Sequence, residues 1–204
     1  MSELASLNIE SIAFAADVHD LPAMLAAIEK IRALFCSIDI LEYSPLIEMA
    51  TLVSVLKRDA ELVKKELEFS ILGAIAAVNA VVNDMIKSGD GALLFTLGAT
   101  AYMPGPSHAS GALGVVAIKQ YALNLHIALE PKGIYVGTLA IGQLFTPDEI
   151  AEIYWKKVQK RTSCETLYGD PRGKGTLSLS KDVSGASLHP IPADSIRGAF
   201  IMLL

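Results

Sequence analysis

Proton transfer, metal binding and thiol chemistry each need particular side chains at particular spacings, and this chain offers few of them. Tyr102 and His108 fall in one loop-like stretch, with Thr96 and Ser110 close to its two ends. Any of the four carries a hydroxyl or imidazole that could pass a proton to a reacting oxygen. Each also has a plain structural use: Thr96 as a strand residue, Tyr102 as a surface aromatic, His108 as a loop histidine, Ser110 as a helix cap. The four His are scattered, and neither CxxC nor HExxH occurs, so no metal site is expected. Cys36 and Cys164 are the only thiols. Residues 1–10 lack a basic segment followed by an apolar one, so the expected setting is the reducing cytoplasm, where two lone thiols stay unbridged. Asp17 reads equally well as a strand-end turn residue or helix cap and as a ligand-facing carboxylate.

The elements that must position these groups follow from apolar patterning. Residues 66–142 read helix, strand, loop, helix, strand. An apolar helix over 67–86 breaks at Ser88-Gly89-Asp90-Gly91, and a short buried strand follows over 92–97. A loop with Pro104, Gly105 and Pro106 leads to a second apolar helix over 110–130. Pro131-Lys132-Gly133 ends it, and a strand begins over 134–140. Continuous apolar strands alternating with helices predict βαβ crossovers in a parallel sheet covered on both faces.

Upstream, residues 11–16 predict a short strand ending at Asp17-Val18. A helix then runs from Asp20, an N-cap followed by Pro22 in the first turn, to about Phe35. Residues 37–41 predict another strand, with Glu42-Tyr43-Ser44-Pro45 as the loop beyond it, and residues 46–59 read as loop with a short helix. Downstream, Thr146, Pro147 and Glu149 carry the signature of a capping box opening a helix over 148–155. Residues 171–192 read as loop, and residues 199–204 as a terminal strand.

At 204 residues the chain suffices for one domain with a full core. Hydrophobic residues make up 52% and charged ones 19%, which suits helices buried on two sides. A net charge of −5, with no basic patch, argues against nucleic acid. The apolar run 69–82 is too short for a membrane span, which needs roughly 20 residues, and polar residues interrupt it. A buried core or interface helix is expected, with no membrane partner.

The order of these pieces resembles the short-chain dehydrogenase/reductase family over roughly residues 12–168, with an irregular tail over 169–204. The match runs from Ala15-Ala16-Asp17-Val18 through Ile38-Asp39-Ile40-Leu41 to Gly133-Ile134-Tyr135-Val136 and Gly142. The resemblance implies a Rossmann-like three-layer α/β/α fold with a parallel sheet, NAD or NADP at the C-terminal ends of the strands, and hydride transfer to or from a small carbonyl or alcohol substrate. By position it implies that Asp17 contacts the adenine and Val18 packs on it. Ser44 and Pro45, with Leu46, sit where the family has Asn-Ala-Gly beside the ribose. Ile141 and Gly142 stand for its Pro-Gly before the nicotinamide, and Thr146 for a Thr touching the carboxamide or diphosphate. It also implies pairing of the two long helices in a homodimer or homotetramer, for which Leu67, Ile71, Ile75, Val78 and Val82, with Val116, Leu123 and Ile127, supply apolar surface.

The chain departs from that pattern in two places. The family opens with a strand, a Gly-rich turn and a helix. Residues 1–11 contain no Gly, so the chain reads as N-terminally truncated relative to the family, with apolar sheet edges left open. The family's Asn, Ser, Tyr and Lys fall at Ser70, Gly98, Gly111 and Val115, none of which has the required chemistry. No Tyr in the chain has a Lys four residues on. Two functions follow: an NAD(P)-linked oxidoreductase that is inactive or weak, or a non-catalytic member serving as an interaction or dimerisation scaffold.

Overall fold

The computed structural model describes residues 6, 9–45, 53–106, 109–142, 144–169 and 199–203. Its helices are α1 (Leu21–Phe35), α2 (Ala60–Leu67), α3 (Gly73–Ser88), α4 (Ala109–Leu129) and α5 (Pro147–Lys160). Its strands are β1 (Ile38–Tyr43), β2 (Gly91–Gly98), β3 (Ile134–Ile141), β4 (Glu165–Tyr168) and β5 (Ala199–Leu203). All pair in parallel, in the order β4-β3-β2-β1-β5. The α/β fold with a parallel sheet is the expected one.

Alternation along the strands divides the core. Leu41, Tyr43, Leu93, Phe95, Leu97, Ile134 and Val136 join the larger cluster, which Met24 and Ile28 of α1, Ala77, Val78, Val81 and Met85 of α3 and Ile118 of α4 complete. Ile40, Ala92, Leu94, Tyr135 and Leu139 face the other way, where Tyr154 and Val158 of α5 cover them. Helices therefore lie on both faces, three on one and α5 alone on the other among the described residues.

The local signals act as read at several points. Asp20 caps α1, its carboxylate accepting from the Ala23 N–H at 3.0 Å. Gly89 follows α3 at φ 71° and Gly133 ends the next crossover at φ 82°. A Cβ on Gly133 would lie 2.1 Å from the Gly89 carbonyl oxygen, so the two turns need their glycines for conformation and for close approach.

Four expectations change. Residues 11–16 form no strand, because no neighbouring strand among the described residues offers them a ladder. β1 extends to Tyr43, so Glu42 and Tyr43 belong to the buried strand rather than to a loop. The long helix starts earlier, at Ala60, and continues to Ser88 through a π-helical segment, Glu68–Leu72. At 29 residues it is long and apolar enough to cross a membrane, as is 111–132, so the length argument fails. What describes this helix is its packing on the sheet, through Ala74, Ala77, Val78, Val81 and Met85. Lastly, the sheet edge expected to stay open beside β1 carries β5, with Leu41 opposite Ile201 and Tyr43 opposite Leu203. The tail reading over 171–192 lies outside the described residues, whereas the terminal strand forms as expected.

The π-helical segment is tied to the sheet. The fully buried Tyr43 donates from its hydroxyl to the Phe69 carbonyl. A Cβ on Gly73 would stand 2.2 Å from that hydroxyl oxygen. Gly73→Ala should therefore cost about 2 kcal/mol by overpacking, read as a lowered thermal midpoint. An unchanged midpoint would mean that Tyr43 shifts without loss.

Candidate functional site

β1, β2 and β3 end side by side, and their terminal residues meet the start of α5. Between this helix and the sheet lies a cavity of about 590 Å³. Its walls are apolar: Ile40, Leu94, Ile141, Ile150, Trp155 and their neighbours. Its polar groups come from three elements and one loop: Glu42 (β1), Thr96 (β2), Tyr154 (α5) and Ser44 just beyond β1. The Thr96 hydroxyl donates to Glu42 Oε1 at 2.6 Å and shares a second hydrogen bond with the Tyr154 hydroxyl. Glu42 is 2% exposed, and no group meets its buried Oε2 in hydrogen-bond geometry, although the Ser44 hydroxyl stands near enough to the carboxyl to pull its pKa down. Burial pushes the Glu42 carboxyl up to about 7, against the opposing pull of the Thr96, Ser44 and Tyr154 hydroxyls. Burial and the neighbouring Glu42 hold the Tyr154 phenol well above its ordinary value.

α5 is held in place by its first turn. The Thr146 Oγ1 accepts from the Glu149 N–H at 3.3 Å, and Glu149 Oε2 accepts in return from the Thr146 N–H at 2.9 Å. This is the capping box read from the sequence. Thr146→Ala should cost about 1 kcal/mol, visible as a lower midpoint in a denaturant titration. No change would show that the helix depends on packing alone.

The expected cofactor residues divide into two groups. Ser44 and Ile141 line the cavity. Thr146 sits between Phe145 and Pro147, which line it as well, while Pro45 is half-buried at the end of β1. Gly142 donates its N–H to the Tyr168 carbonyl at 3.0 Å, continuing the β3–β4 pairing. Asp17 and Val18 are elsewhere. Val18 belongs to the core on the opposite face. Asp17 is exposed in a turn, accepting from the His19 backbone N–H at 2.9 Å and pairing with His19 Nδ1 at 3.0 Å. Those contacts hold its carboxyl below its ordinary value, and they are the turn use that the sequence allowed.

The four tetrad-equivalent positions hold no proton relay. Ser70 is buried in the π-helical segment and donates to the Glu66 carbonyl one turn back. It packs so closely on α4 that a Cβ on Gly114 would lie 2.5 Å from its hydroxyl oxygen. Gly98 ends β2, and Val115 is buried in the main core beside Gly111 on the same helix. Neither Gly98, Gly111 nor Val115 has a side chain able to move a proton.

The other candidates are placed differently from expectation. Tyr102 is no surface aromatic: it is half-buried, donates to Glu165 Oε1 at 2.7 Å, and has Lys119 Nζ 3.9 Å from its ring centre. Burial and then Glu165 raise its pKa, the opposite of what a Lys does for a proton-donating Tyr. His108 lies outside the described residues, as does Leu46. Both cysteines are free, Cys36 exposed and Cys164 buried. Among the described residues no three His, Cys, Asp or Glu gather to hold a metal ion. Sequence reasoning missed Glu42 and Tyr154. The available signal was a Glu inside the apolar run Ile38–Tyr43, which a doubly covered parallel strand must bury.

A parallel sheet between helices, with a cavity where its central strands end, defines the doubly wound class of nucleotide-binding folds. The sequence profile described as short chain dehydrogenase matches residues 1–153, and the chain belongs to that family. No match appears among curated protein sequences. Solved structures agree in fold. A short-chain dehydrogenase from Streptomyces avermitilis shares 16% identity at a TM-score of 0.62, covering 71% of this chain and 53% of its own. The apo form of LigD from a Sphingobium species shares 19% at 0.74, covering 84% and 73%. A metagenomic short-chain oxidoreductase in complex with NADP shares 16% at 0.72, covering 81% and 76%. The chain thus spans little more than half the length of the Streptomyces protein.

The residues present do not fit a dinucleotide. Among the described residues the cavity beside the strand ends has Glu42 as its sole charged lining residue, with an oxygen that lacks a partner in hydrogen-bond geometry, and no Lys, Arg or His in its wall. A pyrophosphate needs the reverse, backbone or cationic donors in low dielectric. The Thr146 hydroxyl is already engaged with Glu149.

Proposed function

We propose that this chain is a family member in which hydride transfer has lapsed, so that an NAD(P)-linked oxidoreductase by descent works as a non-catalytic binding and assembly module. The observation that carries this reading is the chemistry at Ser70, Gly98, Gly111 and Val115. One hydroxyl is consumed by a helix carbonyl, and the other three side chains cannot donate a proton. The anionic character of the cavity supports it, because a pyrophosphate placed there would face a carboxyl.

Assembly is favoured by one further observation. Leu113, Val116 and Ile127 on α4 are 51%, 46% and 52% exposed, and Leu72 beside α3 is 47% exposed. Leu113, Val116 and Ile127 lie on one helical face, a stripe suited to pairing with a second copy in the cytoplasm.

The test is a titration with NADH and NADPH followed by nicotinamide fluorescence. The expected result is no saturable binding at millimolar concentration. Saturation below roughly 100 μM, about −5.5 kcal/mol, would overturn the reading and call for mutation of Asp17 and Thr146 and a screen of carbonyl substrates. Light scattering during gel filtration should report a dimer, and a monomer would remove the assembly part.

A further inference from the structure

The cavity under α5 contains a group that a mere packing defect would not retain. A carboxylic acid that is 2% exposed projects from β1 into an apolar space, with one oxygen hydrogen-bonded and the other without a partner. Buried polar atoms are nearly always satisfied, and those left over at a cavity mark a missing ligand or water. Its volume of about 590 Å³ falls within the roughly 300–1,000 Å³ typical of small-molecule sites, which are apolar with a few placed polar groups.

We propose that this cavity binds a small, largely apolar primary amine, whose ammonium donates to Glu42 Oε2 while its hydrocarbon part lies against Ile40, Leu94, Ile150 and Trp155. The charge argument selects the amine. Among the described residues Glu42 is the one charged residue in the lining, so an organic anion meets a like charge and an uncharged apolar molecule leaves Oε2 unsatisfied. A cation supplies the missing counter-charge, and a charge-assisted hydrogen bond is about twice as strong as a neutral one. Thr96, itself held by the Tyr154 hydroxyl, fixes the other carboxylate oxygen, so the acceptor is oriented before the ligand arrives. The site lies apart from the tetrad-equivalent positions and involves no hydride transfer; it shares the Glu42 cavity with the reading above, and the amine titration can fail while nicotinamide binding stays absent.

The groups facing Glu42 are the Thr96 hydroxyl from β2, the Tyr154 phenol from α5 and the Ser44 hydroxyl beyond β1. β3 contributes only the apolar Ile141. Glu42 is thus the group whose proton an ammonium must displace. With its carboxyl at about 7, binding should strengthen from pH 5 to pH 8.

Trp155, the one Trp of the chain, lines the cavity and reports occupancy directly. The full chain is titrated with 2-phenylethylamine, 2-phenylethanol and 3-phenylpropionate while tryptophan emission is followed. The amine should saturate the signal at pH 8, bind at least tenfold more weakly at pH 5, and lose at least tenfold in affinity in Glu42→Gln. The alcohol should bind at least tenfold more weakly than the amine, and the carboxylate not at all. Glu42→Gln keeps shape and relieves a buried acid, and its circular dichroism checks its folding. Should that variant still fail to fold, the pH dependence in the unaltered chain decides. Equal binding of amine and alcohol, no loss in the folded variant, no pH dependence, or no saturation at millimolar amine would each overturn the proposal.

Discussion

Glu42→Gln is expected to raise the thermal midpoint of the ligand-free protein at pH 8 while leaving it nearly unchanged at pH 4. The carboxyl titrates at 4.5 when unperturbed and at about 7 in the folded protein, chiefly because it is buried. Between those values the folded protein holds a proton that the unfolded chain has released. The stability that Glu42 contributes is therefore fully present below about 4.5, declines through the window, and is lost above 7. The shift corresponds to about 3 kcal/mol lost by pH 8, and for a chain of this size to a midpoint difference of about 6–12 °C. Gln keeps an acceptor for Thr96 and has no charge to bury, so it escapes the penalty. Other carboxylates titrate alike in both proteins and cancel in the comparison. Melting curves of the two proteins from pH 4 to pH 8 make the test, and parallel curves with a constant offset would mean that water reaches the carboxyl.

That residue also marks the boundary of what the sequence made legible. Strands β2 and β3 and helix α4 were readable because each rests on a local pattern: an apolar run bounded by Gly89-Asp90-Gly91 or by Pro131-Lys132-Gly133. The capping box at Thr146 was equally local, since donor and acceptor lie three residues apart. The cluster at Glu42 is not. Thr96 stands 54 residues from Glu42 and 58 from Tyr154; the parallel register of β1 on β2 brings the first pair together, and the packing of α5 on the sheet adds Tyr154. On sequence alone the strand ends at Leu41 and Glu42 falls in the loop beyond, whereas the folded strand runs on to Tyr43 and buries it. The expected strand over 11–16 failed for the complementary reason: an apolar run with β character still needs a partner. Tyr102 was misread likewise, because its partner Glu165 lies 63 residues on.

Ending the chain at residue 198 should strongly destabilise the fold. β5 is the sole described partner of β1 on that side, pairing with it from Ile38 to Tyr43. Its loss strips the outer ladder of a strand that is otherwise buried on both faces. At about 1 kcal/mol for each net hydrogen bond, five paired positions amount to on the order of 5 kcal/mol, against a total stability of roughly 5–15 kcal/mol for a domain. The new edge is apolar and unprotected, the kind that pairs with other chains. The expected outcome is recovery in the insoluble fraction, or a soluble remainder whose midpoint falls by at least about 10 °C. A truncated chain that stays soluble and melts as before would show that the edge needs no cover. The position of β5 gives this result a wider meaning. In the doubly wound order 3-2-1-4-5-6 the first strand, which carries the Gly-rich turn, lies beside the fourth. With β1, β2 and β3 corresponding to the fourth, fifth and sixth, β5 occupies the first strand's place. It fills that edge with backbone paired to β1.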